Sequence, residues 1–120
     1  MQPGSSRLNR SRAPSADETH AWIGWRVDDV NGTMLGIVER VLSNDAGEPA
    51  WLVLAGFRLG DERKFLAPAF DAVGGMGRVW SPHLRATVSA SAGLLAGVAA
   101  PDADRRLREH YASYERRRAA

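Results

Sequence analysis

Between residues 24 and 57 apolar and polar positions follow one another in short runs, and each run ends at a cluster of turn-forming residues. Arg26 to Val30 stops at Asn31-Gly32, a pair that readily takes the positive φ values of a tight hairpin. Thr33 to Leu42 stops at Ser43-Asn44-Asp45-Ala46-Gly47, and a third run begins at Ala50 with Trp51-Leu52-Val53-Leu54-Ala55. Short turns between consecutive runs predict an antiparallel three-stranded meander. In the second run Leu35, Ile37, Glu39 and Val41 alternate with Gly36, Val38, Arg40 and Leu42, so both faces carry apolar side chains. That pattern predicts a curved strand, bulged near Glu39, in a small closed barrel. The third run is apolar on both faces and is expected to be the central strand.

Beyond the meander the pattern predicts a polar loop at Arg58 to Glu62, a fourth strand from Arg63 to Ala67 ended by Pro68, and a short fifth, edge strand at Arg78-Val79-Trp80 after the Gly74-Gly75-Met76-Gly77 turn. Thr87 to Ala100 is rich in small residues and reads as extended chain with a loose turn around Leu94-Leu95. Pro101 and Asp102 suit the first turn of a helix over 101–118. Ala103, Leu107, His110, Tyr111 and Tyr114 form one stripe at helical spacing, so this helix should dock by its Leu107 and Tyr111 face. Met1 to about residue 19 carries Ser, Pro, Gly and Arg with Leu8 as its one sizeable apolar residue, a composition that predicts a disordered tail. The expected organisation is therefore a mostly β barrel of five to six strands over 20–100, preceded by a tail and followed by one helix.

Charge adds a second constraint. Residues 21 to 101 hold seven basic against eight acidic side chains, while 102 to 120 hold six arginines against four carboxylates. A near-neutral body with mildly basic ends gives little support to a dedicated nucleic-acid binder. The longest apolar-leaning stretch, Ala86 to Ala100, is too short and too polar to span a bilayer, and no signal-peptide core is present at the start, so membrane insertion is not expected and a cytoplasmic protein is. The absence of cysteine agrees with a reducing compartment.

Few residues offer chemistry. His20, His83 and His110 lack metal-ligand spacing, and His110 on the helical stripe reads as a packing residue. Asp28-Asp29 and Asp61-Glu62 are adjacent pairs whose side chains diverge, which suits solvated loop ends better than an acid/base dyad. The glycines at 74, 75 and 77 lack the lysine and following helix of a phosphate loop. No catalytic, metal or cofactor site is therefore expected. The four tryptophans are more informative. Trp51 reads as core, whereas Trp22, Trp25 and Trp80 lie near strand ends, where a large amphipathic ring plugs a barrel mouth or anchors an interface.

Gly24-Trp-Arg-Val, Asn31-Gly32, Leu35-Gly36-Ile-Val with Val41-Leu42, Asn44-Asp45 with Gly47, Trp51 to Leu54, and Phe65-Leu66-Ala67-Pro68 before Val73 together resemble the PRC-barrel domain family over roughly residues 21 to 82. This is the small barrel of the photosynthetic reaction-centre H subunit and of the end of a ribosome maturation factor, and the chain resembles a stand-alone member. The resemblance implies a non-catalytic adaptor that binds another protein or a second copy of itself. Trp22, Trp25, Trp80, Leu107 and Tyr111 are the candidate contact residues. The alternative is an RNA- or ribosome-associated factor that contacts phosphate through Arg105, Arg106, Arg108, Arg116, Arg117 and Arg118.

Overall fold

The structure is a computed structural model that describes residues 13–56, 63–94 and 100–119, with side chains of the last segment given from 102 to 113. The predicted loop at Arg58 to Glu62 falls outside the described residues, as do residues 1–12. The elements are α1 (Ala16–Ala21), β1 (Arg26–Asp28), β2 (Met34–Ser43), β3 (Pro49–Ala55), β4 (Lys64–Pro68), β5 (Val73–Gly75), β6 (Arg78–Trp80), α2 (Arg85–Ala90), a 3-10 turn (Ser91–Gly93) and α3 (Ala100–Ala119). The strands form one six-stranded mixed sheet in the order β4-β3-β2-β1-β6-β5. Among the described strands β1 and β6 pair in parallel and the other neighbours antiparallel.

The meander forms as its pattern predicts, and two turns of the same construction set its register. Asp29 Oδ1 accepts from the amides of Asn31 and Thr33, both at 2.9 Å, and Asn44 Oδ1 accepts from those of Ala46 and Glu48, both at 2.9 Å. In each turn a glycine three residues on, Gly32 at φ 80° and Gly47 at φ 81°, takes the left-handed conformation. The bulge expected near Glu39 is present, since Val38 pairs with Leu54 and Arg40 with Val53. At Gly36 the backbones come too close for any side chain: a Cβ there would lie 2.6 Å from Ala55 O.

Several expectations need correction. The six strands do not close into a barrel, since β4 and β5 stand at opposite ends of the order. β3 is buried along Trp51 to Leu54 but lies one place from the edge, and the middle belongs to β1 and β2. β6 is interior too, because the glycine turn connects it to a further strand, β5, which takes the edge. Residues 16–19 are helical and not tail. Ser15 caps α1 through the Glu18 amide while the Glu18 carboxylate accepts from the Ser15 amide, and Thr19 is buried. Residues 85–90 form α2 and not extended chain, its first amide, on Arg85, donating to Asp29 Oδ2 at 3.2 Å.

Asp28 and Asp29 are likewise buried and not solvated, because each is fully engaged. Asp28 accepts from Arg26 at 2.7 Å and pairs with Arg78 at 3.4 Å, while Asp29 holds both its own turn and the start of α2. The core gathers Val27, Val38, Leu52, Leu54 and Val79 from the sheet with Val88 of α2 and Leu107 of α3. Burying side chains of this size contributes about 1.5–3 kcal/mol each.

Candidate functional site

An open sheet has two outer strands, and each exposes a row of backbone groups. At β4 that row is covered. Leu66 is paired with Val53 on one side, and its outward amide donates to Ser91 Oγ at 2.9 Å while its carbonyl accepts from the Tyr111 hydroxyl. Tyr111 is held there by its ring contacts, at centroid distances of 5.8 Å to Trp51, 4.7 Å to His83 and 5.0 Å to His110. Burial and the Asp71 carboxylate push its hydroxyl well above the usual tyrosine range, with the Ser91 hydroxyl pulling less strongly the other way. Behind it, His83 Nε2 lies 2.7 Å from Asp71 Oδ2. Trp51 Nε1 donates to Asp104 at 2.8 Å, and His110 Nε2 lies 2.8 Å from Thr87 O, so α3 is docked on its own sheet.

This docking corrects two of the candidate contact residues. Leu107 and Tyr111 are spent on the interior of the chain, as the stripe itself required. Trp22 is also interior: it ends α1 instead of lying in extended chain, and its indole covers Gly74, where a Cβ would sit 2.2 Å from Nε1. Trp25 is half-buried against the core. Trp80 remains at the surface, 41% exposed.

Trp80 belongs to the opposite edge. The β5–β6 hairpin turns on Met76-Gly77, both at positive φ, with Gly75 paired to Arg78 and Val73 to Trp80. In a two-residue hairpin those pairs exchange the backbone bonds, so the Gly74 amide and carbonyl point outward along the free edge. Val73 is 62% exposed and Met76 is fully exposed. On the same sheet face Arg78 lies over Trp80, 5.3 Å from a ring centroid, and reaches Asp28 beside Arg26. The result is a short strand edge flanked by one aromatic and one aliphatic side chain and two half-exposed guanidiniums around a single buried carboxylate.

The nucleic-acid candidates divide. Arg105 lies 3.5 Å from both Asp102 and Glu109, Arg108 is 2.8 Å from Asp104, and Arg106 donates to Leu94 O at 3.2 Å. Three arginines and three carboxylates on that stretch of α3 balance one another. The side chains of Arg116, Arg117 and Arg118 lie outside the described residues. Open grooves of about 400 and 640 Å³ lie along α3, both lined by Asn44, Ala50, Trp51 and Arg108. No group of three or more His, Cys, Asp or Glu able to hold a metal ion is present among the described residues.

Fold and site together define a β-rich domain with one sheet edge covered and the other without a neighbour among the described residues, in which no helix among those residues is long and apolar enough to cross a membrane. Comparison with family models, curated proteins and solved structures gives no match for the chain.

Proposed function

We propose that the protein is a non-catalytic interaction module, a stand-alone PRC-barrel-like adaptor, that binds another protein or a second copy of itself through the β5–β6 hairpin. One observation carries the reading: Val73 and Trp80, directly paired, are 62% and 41% exposed beside a strand edge without a neighbour among the described residues. Large apolar side chains next to unpaired backbone groups are the usual ingredients of strand addition. Phosphate binding by α3 is the weaker reading, since Arg105 and Arg108 already have carboxylate partners.

The test is affinity capture on the immobilised full chain from its native host, in parallel with a Val73→Lys/Trp80→Ser double variant. Each is run with and without nuclease and at two salt concentrations, and light scattering is recorded at two protein concentrations. A partner, or a dimer, formed by the wild type and lost in the variant at either salt concentration supports the module. Retention abolished by nuclease and falling steeply with salt supports the RNA reading instead. Equal retention by both proteins, with a monomer throughout, overturns the assignment to this hairpin.

A further inference from the structure

We infer that the partner of the β5 edge is an extended peptide segment with an acidic residue opposite Gly75 and an apolar residue opposite Val73, two positions further along the same strand. The inference rests on the assignment of the hairpin as a binding surface and specifies what that surface takes. A strand added alongside β5 would lie about 4.8 Å from it. Its central residue exchanges backbone bonds with Gly74, whose amide and carbonyl are the outward-facing pair. The residues on either side of that centre then project onto the face that carries Val73, Arg78 and Trp80.

The two flanking positions differ in chemistry. Opposite Val73, the incoming side chain meets an exposed isopropyl group with the Trp80 ring behind it, so an apolar residue is favoured. Opposite Gly75 nothing intervenes. A Cβ built on Gly75 finds no atom within 4 Å, and Arg78 lies directly across the pair. A carboxylate there reaches over the glycine towards Arg78, whose side chain is rooted about 10 Å away, two strand spacings, and turns from its 3.4 Å contact with Asp28 to meet it. Arg26 and Arg78 share one buried carboxylate, Asp28, which leaves the cluster one positive charge in excess. At the central position the peptide residue lies on the face of Gly74 where the buried Trp22 indole packs, so space there is tight. A small residue fits there.

A second copy of this chain fits less well. Two β5 strands paired about Gly74 place Val73 of one copy opposite Gly75 of the other, offer Arg78 no carboxylate, and bring two guanidinium clusters to the same face.

The experiment is an NMR titration of the isotope-labelled full chain with a synthetic peptide whose core is Glu-Thr-Val, and with its Gln-Thr-Val and Lys-Thr-Val counterparts. Expected are shifts at the Gly74 and Gly75 amides and the Trp22 and Trp80 indole signals. Affinity should fall about two- to fivefold from Glu to Gln, the scale of an exposed ion pair, and further for Lys. Arg78→Gln should erase the preference for Glu, and Asp28 keeps Arg26 in that variant. Gly75→Glu, at a position with open space, should reverse the order of the Glu and Lys peptides. Equal binding of all three peptides, or shifts elsewhere, overturns the proposal. If the same signals move with protein concentration and not with peptide, the surface binds a second copy: the peptide proposal fails and the hairpin assignment stands. If neither moves them, the peptide proposal fails, and the hairpin assignment stands or falls by the capture experiment.

Discussion

At β4 the outward amide and carbonyl of Leu66 are taken up by Ser91 and Tyr111, whereas at β5 the outward amide and carbonyl of Gly74 meet no such cover among the described residues. The two edges also differ in what surrounds them. Around Leu66 lie buried side chains, Phe65, Ala67, Ser91 and Tyr111; around Gly74 lie exposed Val73, Met76 and Trp80, with Trp22 and its β6 partner Val79 buried on the core side. An edge closed by side chains from another element costs the chain a helix, and α3 supplies it. An edge left open needs a different safeguard against indiscriminate pairing. At β5 that safeguard is brevity: three residues offer one outward amide and carbonyl, too little for stable pairing without side-chain recognition. Stability should therefore reside at the covered edge and recognition at the open one.

The largest effect expected from that division is at Tyr111. Tyr111→Ala removes a buried ring and leaves Leu66 O unpaired, and should destabilise the fold by about 3–5 kcal/mol in urea denaturation. Tyr111→Phe keeps the ring and loses only the hydroxyl, for about 1–3 kcal/mol. The pair also makes a pH prediction. Burial raises the folded tyrosine above its unfolded value of about 10, so the unfolded state releases its proton first. The contribution is fully present below about pH 10 and is lost as pH rises beyond it. Tyr111→Phe should flatten that alkaline decline. An unchanged decline would place its origin elsewhere.

Next in size is Gly74→Ala. An added methyl would lie 2.2 Å from Trp22 Nε1 and 2.4 Å from Cε2, so the indole must shift. Overpacking of this kind costs about 1–3 kcal/mol, and near-ultraviolet circular dichroism should report the displaced ring. Gly75→Ala is the internal control: it meets open space and has an ordinary φ, so its stability should stay within about 0.5 kcal/mol of the wild type. A large loss at Gly75 would show that the open edge is covered after all.

The covered edge was partly legible in the sequence and the open one hardly at all. The stripe of Leu107 and Tyr111 announces a docked helix, because 3.6-residue periodicity records burial directly. It cannot say whether the surface beneath is the chain's own, and Leu66 to Tyr111 spans 45 residues with no local signal. The meander was readable for the same reason as the stripe, since alternation and turn residues are local. The parallel β1/β6 pairing was not, because nothing in Arg78-Val79-Trp80 distinguishes an interior strand from an edge one. Two signals were present and passed over. Ser15 and Glu18, three apart, form the capping box that starts α1, and the shared Asx-x-x-Gly spacing of Asp29–Gly32 and Asn44–Gly47 marks matching turns. Of the three strand-end tryptophans, composition treats all alike; only the packing of Trp22 over Gly74 separates it from Trp80.

A modest effect on stability is expected at Trp80, and there the contrast between the edges becomes sharpest. Its ring is 41% exposed, faces Val73 across the hairpin and carries Arg78 on one side. A cross-strand pair contributes about 0.2–1 kcal/mol and an exposed cation–π contact about 0.5–1 kcal/mol. Trp80→Ser should therefore lower stability by roughly 1–2 kcal/mol, well short of Tyr111→Ala, although tryptophan is the larger side chain. Iodide quenching checks the premise, since Trp80 should supply most of the accessible emission and Trp22 and Trp51 little. If Trp80→Ser instead destabilised the chain as strongly as Tyr111→Ala, the hairpin would be holding the sheet together, and its exposed apolar pair would need no partner to explain it.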